Sequence, residues 1–252
     1  MRLRYLLVVL GLVAGMPGCA ALLVSDRLES DLESGKLDPH HVVFICHGML
    51  KDLGSPWSRR LRTELLEDGV IGLPVTYWSD PTGVWFNWGS VAPGRLIAET
   101  ADAIVRAHAE SGSERELILD AVGFSNGAEV VLRAATMFEE ASFRRVILLG
   151  SSSFAFSPQP ARLVREGKIG ELLNCWSPID FTTILAPIGA GQFGLHSGCS
   201  PIENEMVLMP HLPILIGKGR RSQMRAHLLE DTPPLPEDSE FSRALAEILA
   251  DS

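Results

Sequence analysis

The chain has 252 residues, of which 46% are hydrophobic and 21% are charged, a composition that excludes a disordered or fibrous protein. This length fits one large α/β domain with a substantial core. The net charge is -9 and the basic residues are scattered except near the start and in 218–225, which argues against nucleic-acid binding.

The N-terminus has the pattern of a targeting segment. Arg2 and Arg4 precede an apolar run, 6–14, that is too short for a membrane-spanning helix. The next residues, Met16–Ala20 (MPGCA), resemble a bacterial lipobox, in which the cysteine becomes the lipid-modified first residue of the mature protein. The resemblance implies an exported protein held at a membrane by a lipid on Cys19. A cleaved secretory signal, giving a periplasmic or secreted protein, and an uncleaved anchor are the alternatives.

From His40 onward, short apolar runs alternate with helical patterns, which is typical of a parallel sheet with crossover helices. We therefore predict an anchor segment 1–24, a polar tether 25–39 and a catalytic domain 40–252. The predicted elements are strand 41–47, helix 56–68, strand 70–77, helix 94–110, strand 116–123, helix 126–139, strand 144–150, strands 172–176 and 205–209, and a closing helix 238–250.

Two segments between these elements bear on the site. Residues 151–170 are long enough for a loop and one short helix, so we expect no large cap domain. The stretch 77–94 is rich in aromatic residues and either lines an apolar acyl pocket, touches a membrane surface or merely covers the core. Its rings are Trp78, Trp85, Phe86 and Trp88.

The strongest motif is Gly123-Phe124-Ser125-Asn126-Gly127, which fits G-x-S-x-G between a predicted strand and a predicted helix. In this context the serine lies in a strained turn that projects its oxygen above the sheet. The glycines keep side chains from colliding where the helix and strand come close. The motif predicts Ser125 as a nucleophile.

With this motif, the chain resembles the α/β-hydrolase superfamily of serine esterases and lipases. The first strand ends in His47-Gly48-Met49, which is similar to the HG dipeptide before the family's oxyanion loop. The resemblance implies that the backbone N–H groups of Met49 and Asn126 form the oxyanion hole, and that His47 shapes the loop without acting as the base.

The family order of nucleophile, acid and base places the acid and the base after Ser125. Asp180 follows the predicted strand 172–176, which resembles the family's strand-then-acid pattern. We favour His227 as the base, because a short loop and the final helix follow it. His211 and His196 stay open as alternatives.

No metal-binding constellation and no phosphate loop is present in the sequence, so we expect no cofactor and no metal. The basic residues of 218–225 are either a solvated loop or a surface for an anionic substrate or headgroup. The resemblance implies a serine hydrolase that cleaves a carboxylic ester, or a thioester or amide, of a small or lipid-like acyl substrate. A membrane-anchored binding module on the same fold and an acyltransferase are the rival interpretations.

Overall fold

The computed structural model describes residues 20–22, 40–48, 56–77, 90–149, 152–153, 160–175, 191–192, 243 and 245–250. In these ranges the strands are β1 Ala20–Leu22, β2 His41–Cys46, β3 Ile71–Tyr77, β4 Ile118–Phe124, β5 Phe143–Leu149, β6 Ser152–Ser153, β7 Ile169–Cys175 and β8 Gly191–Gln192. The helices are α1 Pro56–Glu67, α2 Val91–Ser111, α3 Asn126–Met137 and α4 Pro160–Arg165. Residues 243 and 245–250 are also helical.

Six of the strands form one sheet in the order β1-β3-β2-β4-β5-β7. The five strands from β3 to β7 in this order are parallel, and β1 pairs antiparallel with β3 at the edge. Helices connect the parallel strands because a parallel pair needs a crossover. The predicted fold class, a mostly parallel α/β sheet flanked by helices, is confirmed.

Helices cover both faces of this sheet. Alternate residues of β2 point to opposite faces: Phe44 packs in a cluster with side chains of α2 and α3, whereas Ile45 packs with Leu61 of α1 and Leu249 of the C-terminal helical segment. All six residues of β2 are buried, as expected of a central strand with no solvent-facing side. The sheet is therefore doubly wound.

Most predicted elements are present, with ends shifted by no more than three residues. Helix α2 begins at Val91, before the predicted start at 94, and ends at Ser111. Gly112 caps its C-terminus with a left-handed φ of 62°. Pro93 is accepted there because the first turn of a helix does not use its N–H groups. Strand β7 likewise begins at Ile169, before the predicted 172. The predicted strand 205–209 lies outside the described residues.

The sheet extends N-terminal to the predicted start of the domain at His40. Ala20–Leu22 pair with Tyr77, Thr76 and Val75 of β3, and the side chain of Leu22 is buried in the core. The sequence analysis did not predict this strand and placed it within the anchor segment 1–24. In the described parts of the chain, no helix combines the length and the apolarity needed to cross a membrane.

A buried carboxylate joins three strands to the C-terminal helical segment. Asp120 of β4 accepts hydrogen bonds from His41 Nε2 at 2.9 Å, from Arg144 Nη2 at 2.5 Å and from the backbone N–H of Arg145 at 2.8 Å. Arg144 also donates to the carbonyl of Leu249 at 3.0 Å. Burial alone would raise the pKa of Asp120, but the hydrogen bonds and charges of His41 and Arg144 outweigh it and hold the pKa below its usual value.

Candidate active site

The turn between β4 and α3 places Ser125 at the carboxyl edge of the sheet. Ser125 has φ 53° and ψ -118°, and it is the only non-glycine residue in the described ranges with a positive φ. Its N–H donates to the carbonyl of Leu149 at the end of β5 at 2.9 Å, and its carbonyl accepts from Ala128 at 3.1 Å. These bonds hold the strained residue between a strand end and the first turn of a helix.

The two glycines of the motif leave no room for a side chain. A Cβ on Gly123 would lie 2.7 Å from the Cα of Ala128, and a Cβ on Gly127 would lie 2.4 Å from the carbonyl oxygen of Cys46. Both contacts are to backbone, so neither can be relieved by turning a side chain. The close packing of α3 on β4 and β2 therefore requires glycine at both positions, as the motif predicts.

The strained serine at the end of a central parallel strand, with a helix starting directly after it, decides the fold type. This is an α/β-hydrolase-type fold. In an α/β-hydrolase-type fold, the loop after the neighbouring strand approaches the serine, and here that strand is β2. A Cβ added to Gly48 would lie 3.2 Å from the Cβ of Ser125, which puts the loop after β2 directly against the serine.

His47 is held inside this loop rather than presented to a substrate. Its ring is stacked on Tyr77 with centroids 4.3 Å apart and planes 10° apart, and the residue is only 1% exposed. Its Nδ1–H donates to the carbonyl of Gly48 at 2.6 Å, and the hydroxyl of Tyr77 donates to the carbonyl of His47. These contacts agree with the interpretation that His47 shapes the loop.

The structure brings together the serine, the HG dipeptide and the start of α3, but it describes only part of the predicted site. Asn126 is the first residue of α3 and is buried. The aromatic residues of 78–89 lie outside the described ranges. So do the other predicted site residues, which are Met49, Asp180, His227, His211 and His196.

Two residues near the serine had no role in the sequence analysis. Tyr77 supports the loop after β2 that contains His47 and Gly48, here called the HG loop. The strand register indicates this contact, because Val75, two residues before Tyr77, is aligned with Cys46 at the end of β2. Glu129 lies one turn after Ser125 on α3, is fully buried and accepts from Arg133 Nε at 3.0 Å. Nothing in the sequence around Glu129 indicates that this charged residue is buried.

Cys46 is the last residue of β2, and its side chain lies in the hydrophobic core. The residue is fully buried, and burial raises the pKa of its thiol far above the usual range. Burial thus keeps the thiol protonated and away from solvent. Among the described residues, no group of three or more His, Cys, Asp or Glu side chains is arranged to hold a metal ion.

Solved structures similar to this chain include several hydrolases. A dienelactone hydrolase from Anabaena variabilis is 16% identical over 66% of this chain and 70% of its own, with a TM-score of 0.40. A dienelactone hydrolase-like promiscuous phosphotriesterase from metagenomic libraries is 13% identical over 86% and 88%, with a TM-score of 0.44. Est1E from Butyrivibrio proteoclasticus is 12% identical over 62% and 72%, with a TM-score of 0.35.

No protein-family model matches the sequence, and no curated protein matches it either.

Proposed function

We propose that the chain is a serine hydrolase that cleaves a carboxylic ester through an acyl-enzyme, with Ser125 as the nucleophile. One observation carries the proposal: Ser125 has a positive φ at the end of a central strand, and Gly48 of the HG loop packs against it. A conformation that costs on the order of 1–3 kcal/mol persists where the surrounding structure enforces it, and such sites are commonly functional.

In the proposed reaction, the Oγ of Ser125 attacks the ester carbonyl while His227 takes its proton. Asp180 orients His227 and stabilises the imidazolium. The alcohol leaves with the proton from His227, and water then hydrolyses the acyl-enzyme to release the carboxylic acid. His211 and His196 are the alternative bases.

The oxyanion is held in this proposal by the backbone N–H groups of Met49 and Asn126. Support comes from the position of the loop that carries Met49: Gly48, one residue earlier, packs against Ser125. Asn126 directly follows the nucleophile and begins α3, whose N-terminal dipole also favours negative charge there. Backbone donors are fixed before the charge develops, which is why they suit this task.

We further propose that the protein is exported and attached to a membrane by a lipid on Cys19. The support is the lipobox-like sequence Met16–Ala20 after a basic and apolar N-terminus.

The test of the catalytic proposal is labelling of the full-length protein, purified in detergent, with a fluorescent fluorophosphonate. We expect the wild type to label, and we expect labelling to be lost in Ser125→Ala and His227→Ala and to fall strongly in Asp180→Asn. Ser111→Ala is the matched control, because this hydroxyl makes only local contacts at the end of α2: it donates to the carbonyl of His108 and accepts from the N–H of Ser113. It should label like the wild type.

The histidine variants decide the base. Loss of labelling in His211→Ala or His196→Ala, with His227→Ala unaffected, would transfer the role to that residue. A folded wild-type protein that stays unlabelled would overturn the hydrolase proposal in favour of a binding module. Faster transfer of the acyl group to an added alcohol than to water would identify an acyltransferase.

A further inference from the structure

Strand β1 is the outermost strand at one side of the sheet. Its first residue, Ala20, lies at the carboxyl end of the parallel strands, which is also where Ser125 lies. One row of aligned residues crosses four strands: Leu22 pairs with Val75, Val75 with Cys46, and Cys46 with Gly123. Ser125 lies two residues beyond this row, in the turn directly after β4. Because β1 is antiparallel to β3, Ala20 also lies two residues beyond the row, on the same side.

This register fixes the distance between the start of β1 and the nucleophile. Ala20 and Ser125 lie at the same level along the strands, and β3 and β2 separate them. Three strand spacings correspond to roughly 14 Å. The Cα of Cys19 is about 3.8 Å from that of Ala20, because one peptide bond joins them. A lipid on Cys19 would therefore be attached at the edge of the sheet that carries Ser125.

The predicted tether does not lengthen this attachment. Residues 25–39 follow β1 in the chain, so they lie between β1 and β2 and not between Cys19 and the sheet. The pairing of Ala20 with Tyr77 leaves Cys19 itself as the link between a lipid and the folded domain. A link this short restricts how far the carboxyl edge of the sheet can turn away from the bilayer.

We propose that the lipid on Cys19 holds the edge of the sheet carrying Ser125 against the membrane, so that the substrate is an acyl ester of a lipid within that bilayer. This inference rests on the proposed function and on lipid attachment at Cys19. In the reaction, Ser125 takes the acyl chain, the deacylated lipid leaves with the proton, and water releases the fatty acid. The substrate reaches the nucleophile by lateral diffusion in the membrane.

The test uses two fluorophosphonate probes. One is embedded in phosphatidylcholine vesicles through a long acyl chain and reports whether Ser125 faces the membrane, and the other is dissolved in water and reports whether Ser125 is reactive. The full-length processed protein is reconstituted in these vesicles. A Gly/Ser linker of about 20 residues is inserted between Cys19 and Ala20. It spans about 25 Å and lets the folded domain turn freely relative to the bilayer. We expect labelling by the embedded probe to fall roughly tenfold and labelling by the soluble probe to stay unchanged.

The matched control carries the same linker within residues 25–39, where it leaves the junction of Cys19 with β1 intact. This variant should label like the wild type with both probes. Equal labelling of the two linker variants by the embedded probe would overturn the orientation. Absence of a lipid adduct on Cys19 by mass spectrometry would also overturn it. Absence of labelling by the soluble probe would overturn the proposed function itself, so the two failures are distinguishable.

Discussion

At the residue scale, Ser125 stores conformational energy that the rest of the fold supplies. Its φ of 53° and ψ of -118° belong to a region that glycine occupies freely and serine does not. The N–H bond to Leu149 and the contact with the HG loop keep the residue there. Stability is thus lowered at the position where the proposed chemistry occurs.

This strain gives a prediction that does not depend on knowing the substrate. Ser125→Gly should have a free energy of unfolding about 1 kcal/mol above that of Ser125→Ala, because glycine relieves the strain and its own entropic cost offsets only part of the gain. Urea unfolding of both variants measures the difference.

The alanine variant is the matched control, since it removes the hydroxyl and keeps the Cβ that causes the strain. Both variants should be unlabelled by the fluorophosphonate. Equal stability of the two, or a less stable glycine variant, would show that the turn is not strained in solution.

At the scale of elements, Asp120 connects β2, β4 and β5 with the C-terminal helical segment through His41 and Arg144. The partners of Asp120 are structural side chains and backbone groups, so this carboxylate has a structural role. Removing one member of a buried charged group leaves the others uncompensated, which is costly.

We expect Asp120→Asn to lower the free energy of unfolding by roughly 3 kcal/mol at neutral pH. The pKa of Asp120 is lowered in the folded state, so its contribution is present above its ordinary pKa of about 4 and is lost as the pH falls toward the lowered value. The difference between the wild type and Asp120→Asn should therefore shrink below about pH 4. Urea unfolding over a pH series measures it.

Glu140→Gln provides the matched control for this pH series. Glu140 pairs with Arg106 at 3.0 Å, but both side chains are about half exposed, so solvent screens the pair. This variant should follow the wild type at every pH. An Asp120→Asn variant that also follows the wild type would mean that the buried group contributes nothing to folding.

The elements that could be predicted from the sequence are those whose signal is local. The continuous apolar runs of β2 and β5 identify buried strands to within a residue. The predicted start of α2 is too late because Pro93 looks like a helix breaker. In the structure Pro93 lies in the first turn, and a Cβ on Gly94 would lie 3.0 Å from Arg133 Cβ, so this glycine serves the packing of α2 on α3.

The candidate site divides in the same way. Ser125 and its glycines form one continuous motif, so the sequence predicts them together. The predicted acid Asp180 and base His227 are distant from Ser125 in the sequence, so no single motif could predict them with it. Both lie outside the described residues and stay predictions. Strand β1 was missed because Ala-Ala-Leu has no alternating pattern. These residues form a strand only by pairing with the outer side of β3.

At the scale of the whole molecule, β1 covers the outer edge of β3, where the sheet formed by the described residues would otherwise end. An unpaired edge strand exposes its backbone groups to other chains, and Leu22 adds apolar burial. We expect a protein that begins at Ser25 to have a free energy of unfolding at least about 2 kcal/mol below that of one that begins at Ala20. We also expect it to associate at high concentration. Thermal unfolding and light scattering measure both effects.

A protein that begins at Gly18 and carries Cys19→Ser is the matched control. It adds chain before β1 without restoring the anchor, so it should behave like the protein that begins at Ala20. If the protein that begins at Ser25 proves as stable and as monodisperse as these two, then β1 does not belong to the folded sheet in solution.

The pairing of β2 with β4 also has a consequence for how the protein reaches its native state. His41 contacts Asp120 across 79 positions of the chain, and the parallel register beside them brings Gly48 to Ser125. Such distant contacts form slowly, because a long loop must close before any of them stabilises the chain. The serine and the loop against it come together only when this closure is complete. A partly folded chain therefore lacks the assembled serine turn, and under the proposed function any ester cleavage comes from fully folded molecules alone.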